Sequence, residues 1–136
     1  MVTERVTPRT AEATDHALEE ALRERVTRLV ALRGVTPARV RAAVSQVVAA
    51  LPAARAASVA GERTLLATFA GTRPDLASAL HVAGAAAGVG FLRAGRGSAG
   101  RHTVVAALVP VASRDKLAAL AAAVGASVAV GEAPTA

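Results

Sequence analysis

The sequence predicts an α+β fold in which a β-α-β-β-α-β unit follows an N-terminal helical hairpin. Three observations predict it. Residues 13–51 carry two amphipathic helical patterns separated by Gly34 and Thr36-Pro37. Residues 64–130 alternate short apolar runs with alanine- and leucine-rich helical stretches, in the order strand, helix, strand, strand, helix, strand. Turn residues fall between those stretches, with Gly71, Gly88, Gly90 and Gly125 at the junctions. That order is the signature of a compact ferredoxin-like unit. The expected organisation is a disordered tail over residues 1–12, the hairpin over 13–51 and the ferredoxin-like domain over 55–131.

Each element has its own warrant. In the first helix Leu18, Leu22, Val26 and Leu29 share one face, with Thr14 as a candidate cap. Glu19–Arg23 and Glu24–Arg28 are favourable pairs four residues apart, each worth about 0.2–0.5 kcal/mol. Gly34 ends this helix, and Thr36-Pro37 opens the next with a cap and a first-turn proline. Val40, Val44, Val47, Val48 and Leu51 form its apolar face, and Pro52 stops it. A short strand is expected at residues 56–59, then a turn at Gly61. Residues 64–70 are the first strand of the main unit. Thr72 and Asp75 match a capping box for a helix with Leu76, Leu80, Ala83 and Ala87 on one face. Residues 89–93 form the second strand, residues 93–102 a glycine-rich loop, and residues 103–109 the third strand. Ser113 caps a last helix with Leu117, Leu120, Ala121 and Val124 inward. Residues 126–130 are the final strand, and 132–136 a disordered end.

Composition narrows the function classes. The chain has 136 residues and no cysteine, which removes disulfides, thiolate metal sites and cysteine nucleophiles. The net charge is +6 and Lys116 is the only lysine, so arginine carries the basicity. Arginine suits bidentate recognition of phosphate and carboxylate, yet basicity alone speaks to solubility and encounter. Phe69 and Phe91 are the only aromatic residues, too few for the base-stacking platform of a single-strand binder. Residues 1–15 are polar, with no apolar leader segment, and a cytoplasmic protein is expected. The apolar run at residues 76–92 is interrupted by Gly84, Gly88 and Gly90 and reads as helix and strand rather than a membrane span.

Catalysis finds no support in the motifs. His16, His81 and His102 are scattered, no His/Asp/Glu cluster has metal-ligand spacing, and no nucleophile, base and orienter assemble. No catalytic residue, metal site or cofactor is expected. Two stretches are candidate ligand sites. The turn at residues 71–76 precedes a helix N-terminus, which favours an anion, and Arg73 adds a bidentate partner. The loop at residues 93–102 carries Arg93, Arg96, Arg101 and His102 with no acid between them. Its glycines leave backbone N–H groups open to an anion or a nucleic acid. A mobile connector is the commoner use of such a loop, and a capped turn the commoner use of the first.

The run Thr68-Phe69-Ala70-Gly71-Thr72-Arg73-Pro74-Asp75-Leu76-Ala77, followed by Gly88-Val89-Gly90-Phe91, resembles an ACT domain. ACT domains are β-α-β-β-α-β regulatory modules that typically bind amino acids. The resemblance rests on Arg73, Pro74, Leu76, Gly88 and Val89. Asp75 and Thr72 stand where the family's turn glycine and aspartate usually lie, and an acidic Asp75 facing the site would repel a carboxylate. The resemblance implies a non-enzymatic effector-binding protein, with Gly71, Thr72, Arg73, Pro74, Asp75, Leu76, Gly88, Val89 and Gly90 around the ligand. It also implies homodimers formed through paired sheets, which would cover exposed edge strands. Two alternatives stand beside it. One is a nucleic-acid binder using the helical hairpin and the basic loop, the less favoured partner; the other is a structural self-assembly module.

Overall fold

The computed structural model describes residues 2–31, 34–51, 64–91 and 93–132, with the backbone course alone for 2–15 and 93. The expected short strand at 56–59, the turn at Gly61 and the end at 133–136 lie outside the described residues. Helix α1 spans Val2–Val30 and α2 spans Pro37–Ala50. Strand β1 (Thr64–Gly71) leads to α3 (Leu76–Ala87), then to β2 (Arg93–Ala99) and β3 (His102–Pro110). A 3-10 turn at Val111–Ser113 precedes α4 (Arg114–Ala123), and β4 (Ser127–Glu132) completes the sheet. The sheet order is β2-β3-β1-β4, with every pairing antiparallel. That order is the ferredoxin-like plan, and the α+β class read from the sequence is the one observed.

The sheet is covered on both faces. Leu65, Ala67, Phe69, Val105, Ala107 and Val109 point to one side, where α3 and α4 contribute Leu76, Leu80, Leu117 and Leu120. Leu66, Ala70, Val104, Ala106 and Leu108 point to the other, where α1 and α2 supply Leu18, Leu22, Val26, Val30, Val40, Val44 and Val47. The period-2 alternation of β1 and β3 therefore feeds two cores, which is why both strands read as continuous apolar runs. Phe69 is fully buried against Phe91, with ring centroids 6.3 Å apart. It belongs to packing and offers no base-stacking surface.

Several local readings are corrected. Helix α1 begins at Val2, not after a tail ending at residue 12, and Thr14 is not its cap. A helix whose later turns are held by packing extends with one further hydrogen bond per residue and needs no apolar stripe to do so. Strand β2 occupies Arg93–Ala99, where the sequence suggested a loop, and the turn between β2 and β3 shrinks to Gly100-Arg101. The misreading has a clear cause. Gly95 and Gly97 lower strand propensity, but they alternate with Arg96 and Ser98, and the two glycines are buried while the two polar residues are exposed.

Those glycines let α2 lie directly on β2. A Cβ at Gly95 would sit 2.6 Å from the Val47 carbonyl oxygen, and one at Gly97 would overlap the carbonyl oxygen of Ala43. Only a residue without a side chain admits so close a backbone. Helix α2 also seals the sheet edge, since Gln46 Oε1 accepts the Ser98 backbone N–H at 2.9 Å. The edge strand is thereby blunted against further pairing.

Two predicted caps differ as well. Thr36 caps α2 as expected, its hydroxyl accepting the Arg39 N–H at 3.3 Å. Asp75 rather than the expected Thr72 holds the cap position of α3, and Ser113 holds that of α4, but neither side chain makes a capping hydrogen bond. Asp75 is drawn instead to Arg73, because a bidentate guanidinium is a stronger partner for a carboxylate than one backbone N–H. Gly88 closes α3 in the left-handed conformation (φ 75°), with Val89 N–H donating to Gly84 O at 2.8 Å.

One buried polar atom makes a stability prediction. Thr68 is fully buried on the α1–α2 side of β1, and its hydroxyl has no hydrogen-bond partner. Replacing it with valine keeps the shape and removes a desolvated hydroxyl. Thr68→Val is expected to raise the unfolding free energy by about 1 kcal/mol, read from the urea midpoint; a lower midpoint would show that the hydroxyl is satisfied.

Candidate functional site

The end of the sheet where β1 stops and β3 starts collects most of the chemistry. Gly71 pairs with Thr103, so the β1–α3 turn lies beside the β2–β3 turn. The hairpin of α1 and α2 brings its own turn to the same end. Together they enclose an open cleft of about 560 Å³, lined by Thr36, Arg39, Thr72, Gly100, Arg101 and His102, with Gly34 and Val35 beside them. Its size falls within the range of small-molecule sites, about 300–1,000 Å³.

Each side chain has a structural reason to be there. Arg39 occupies the first turn of α2, fixed by the Thr36 cap and Pro37. It approaches the β2–β3 turn so closely that a Cβ on Gly100 would lie 3.3 Å from its Nη1. Gly100 takes φ +64°, the left-handed value that a glycine-first two-residue hairpin requires. This turn presents Arg101 to solvent and directs His102, the first residue of β3, into the α1–α2 side. His102 is only 6% exposed, and neither of its ring nitrogens has a hydrogen-bond partner.

The structure divides the sequence-predicted residues into groups. Thr72, Arg101 and His102 meet in this cleft. Pro74 and Arg96 line a second, smaller cleft of about 370 Å³ with Gln46, Ser98 and Thr103. Arg73 and Asp75 pair with each other, Nε to Oδ1 at 2.7 Å and Nη2 to Oδ2 at 3.0 Å. The hydrogen bonds from Arg73 hold the Asp75 carboxyl below the usual carboxylate range, and the same bonds raise the guanidinium. The expected repulsion by Asp75 is thus neutralised locally, and Arg73 is occupied. Gly71 is the last residue of β1, and Leu76 is fully buried in the α3–α4 core. Gly88, Val89 and Gly90 lie beyond the far end of α3, twelve residues or about 18 Å along its axis. A Cβ at Gly88 would meet Lys116 of α4 rather than the β1–α3 turn. Arg93 is the first residue of β2, opposite Leu108 in the ladder.

Arg39 and Thr36 were not among the expected site residues. Arg39 lies far from Arg101 in sequence, on a different element, and only the docking of α2 across β2 brings them together. The available signal was Arg39 itself, an exposed arginine in an otherwise apolar first turn of α2. The three histidines lie on α1, α3 and β3, and no group of three or more metal-ligating side chains occurs among the described residues.

No family model matches the chain, and no curated protein matches it. A solved structure does. It is an ACT domain protein from Streptococcus pneumoniae, 11% identical, with a TM-score of 0.44, the alignment covering 53% of this chain and 91% of that one. Among the described residues no helix is long and apolar enough to cross a membrane.

Proposed function

We propose that this chain is a non-enzymatic, ACT-like regulatory module that binds a small ligand at the end of the sheet formed by the β1–α3 and β2–β3 turns. The observation that carries this reading is the cleft where Thr72, Arg101 and His102 are met by Arg39. A pocket with a few convergent polar groups on rigid elements is the ordinary form of a ligand site. In this reading the ligand contacts come from Thr72 and the β2–β3 turn, while residues 88–90 serve the helix end. A homodimer would form through β4, which lies at the open edge of the sheet and is half-buried along most of its length.

Thermal unfolding in the presence of amino acids and small anions tests the reading. Far-UV circular dichroism is the appropriate signal, because the chain has no Trp or Tyr. A ligand at a hundred times its Kd adds about 2.7 kcal/mol to the folded state, so at least one compound is expected to raise Tm by several degrees. A flat response across every amino acid and anion would remove ligand binding as the function. Light scattering on the same samples is expected to give twice the chain mass; a monomer at tens of micromolar would remove the dimer.

A further inference from the structure

The cleft's lining says more about the ligand than its size does. Two guanidinium groups line it, Arg39 from α2 and Arg101 from the β2–β3 turn, and among the described residues no carboxylate belongs to the lining. Among the described residues neither arginine has an ion-pair partner: the pairs present are Arg23–Glu20, Arg28–Glu24 and Arg73–Asp75. An α-amino acid brings an ammonium group as well as a carboxylate, and this lining has no anion to receive it. The N-terminus of α2 adds little, because Pro37 has no N–H and the Arg39 N–H is held by Thr36.

His102 supplies the independent observation. Its imidazole is buried, both nitrogens are shielded from solvent, and neither is partnered. A buried donor or acceptor left unmatched is costly. Whatever its tautomer, the ring has at least one N–H to donate; its nitrogens are covered, and an oxyanion admitted as the arginines part would bring the acceptor that is missing. The arginines are exposed and unconstrained at their heads, so they can part and close over such a group.

We propose that this cleft takes a phosphomonoester of a small polar molecule, its phosphoryl oxygens held by Arg39 and Arg101 and completed by the His102 imidazole. The proposal rests on the ligand-binding reading above and narrows its ligand class. Forked guanidinium groups match phosphate oxygens in pairs. The cleft of about 560 Å³ leaves room beyond a bare phosphate for a sugar-sized body near Thr72.

Calorimetric titration of the full chain with inorganic phosphate, ribose 5-phosphate, glycine and glutamate tests it. Ribose 5-phosphate is expected to bind more tightly than inorganic phosphate, and the two amino acids not at all. Arg39→Ala and Arg101→Ala should each weaken the phosphate ester about tenfold or more, with the ligand-free Tm unchanged because both residues are exposed. Arg114→Ala, which removes the same charge from an exposed site on α4, should change affinity less than about twofold. The 15N shifts of the His102 ring are expected to move on saturation. Amino-acid binding that is lost in Arg39→Ala, without phosphate binding, would overturn the ligand class and leave the site. Phosphate binding that falls equally in all three variants would show attraction by net charge and overturn the site. Unmoved His102 shifts at saturation would overturn its part. Binding of none of the four compounds would overturn the proposal and count against the ligand-binding reading too.

Discussion

Removal of residues 1–51 is expected to abolish the cooperatively folded monomer. Those residues form one of the two layers that bury the sheet. Without α1 and α2, Leu66, Ala70, Val104, Ala106 and Leu108 on β1 and β3 would face water, although each is now at most 1% exposed. Burial of a leucine or valine side chain contributes about 1.5–3 kcal/mol, and a domain's whole stability is about 5–15 kcal/mol. The shortened chain also loses Gln46 and with it the cap on the Ser98 N–H at the β2 edge. It should therefore bind hydrophobic dyes and aggregate as it is concentrated. A fragment that unfolds cooperatively, with Tm within a few degrees of the full chain, would show that the hairpin is a separable appendage.

The second large effect is expected at Gly97. A methyl group there runs into the backbone carbonyl of Ala43, with the Ala43 carbonyl carbon 3.1 Å and its Cα 3.2 Å away. Backbone cannot rotate aside as a side-chain tip does, so α2 must lift from β2 and loosen the packing of Val44 and Val47. Overpacking of this kind costs about 1–3 kcal/mol and occasionally more. Gly97→Ala should fall at the upper end, seen as a lower urea midpoint with an unchanged slope. Gly90→Ala is the companion, because nothing lies within 4 Å of its Cβ and its φ is not positive. It should be neutral or stabilising, by up to about 1 kcal/mol. Equal effects at the two positions would mean that α2 does not need a glycine at position 97 for its approach to β2.

The contrast between these glycines shows where sequence reading succeeds and where it stops. Gly34, Gly88 and Gly125 were legible as helix ends because a left-handed residue is a local requirement, and all three have φ near +70°. Gly95 and Gly97 were read as loop because their reason is not local. They are small so that a helix some fifty residues earlier can lie on them. The caps follow the same division. Thr36 was legible from its own neighbourhood, while the expected Thr72–Asp75 box gave way to a cap at Asp75 whose carboxylate is taken by Arg73.

The candidate site divides in the same way. Arg101 and His102 were visible as a basic run, and Thr72 as part of a turn, since short stretches carry their own charge and turn chemistry. That they belong to one cleft was not visible, nor was the membership of Arg39. By itself the sequence determined the order of elements, the apolar faces of the helices and the strand-buried runs, because periodicity and turn residues act over a few positions. Tertiary structure alone decided that the hairpin covers the second face of the sheet and that β2 is a strand beneath α2. It also decided that Arg39, Arg101 and His102 share a cleft while Gly88, Val89 and Gly90 stand apart. These depend on which surfaces meet, and such contacts are set by the summed burial of both cores rather than by any one stretch of chain.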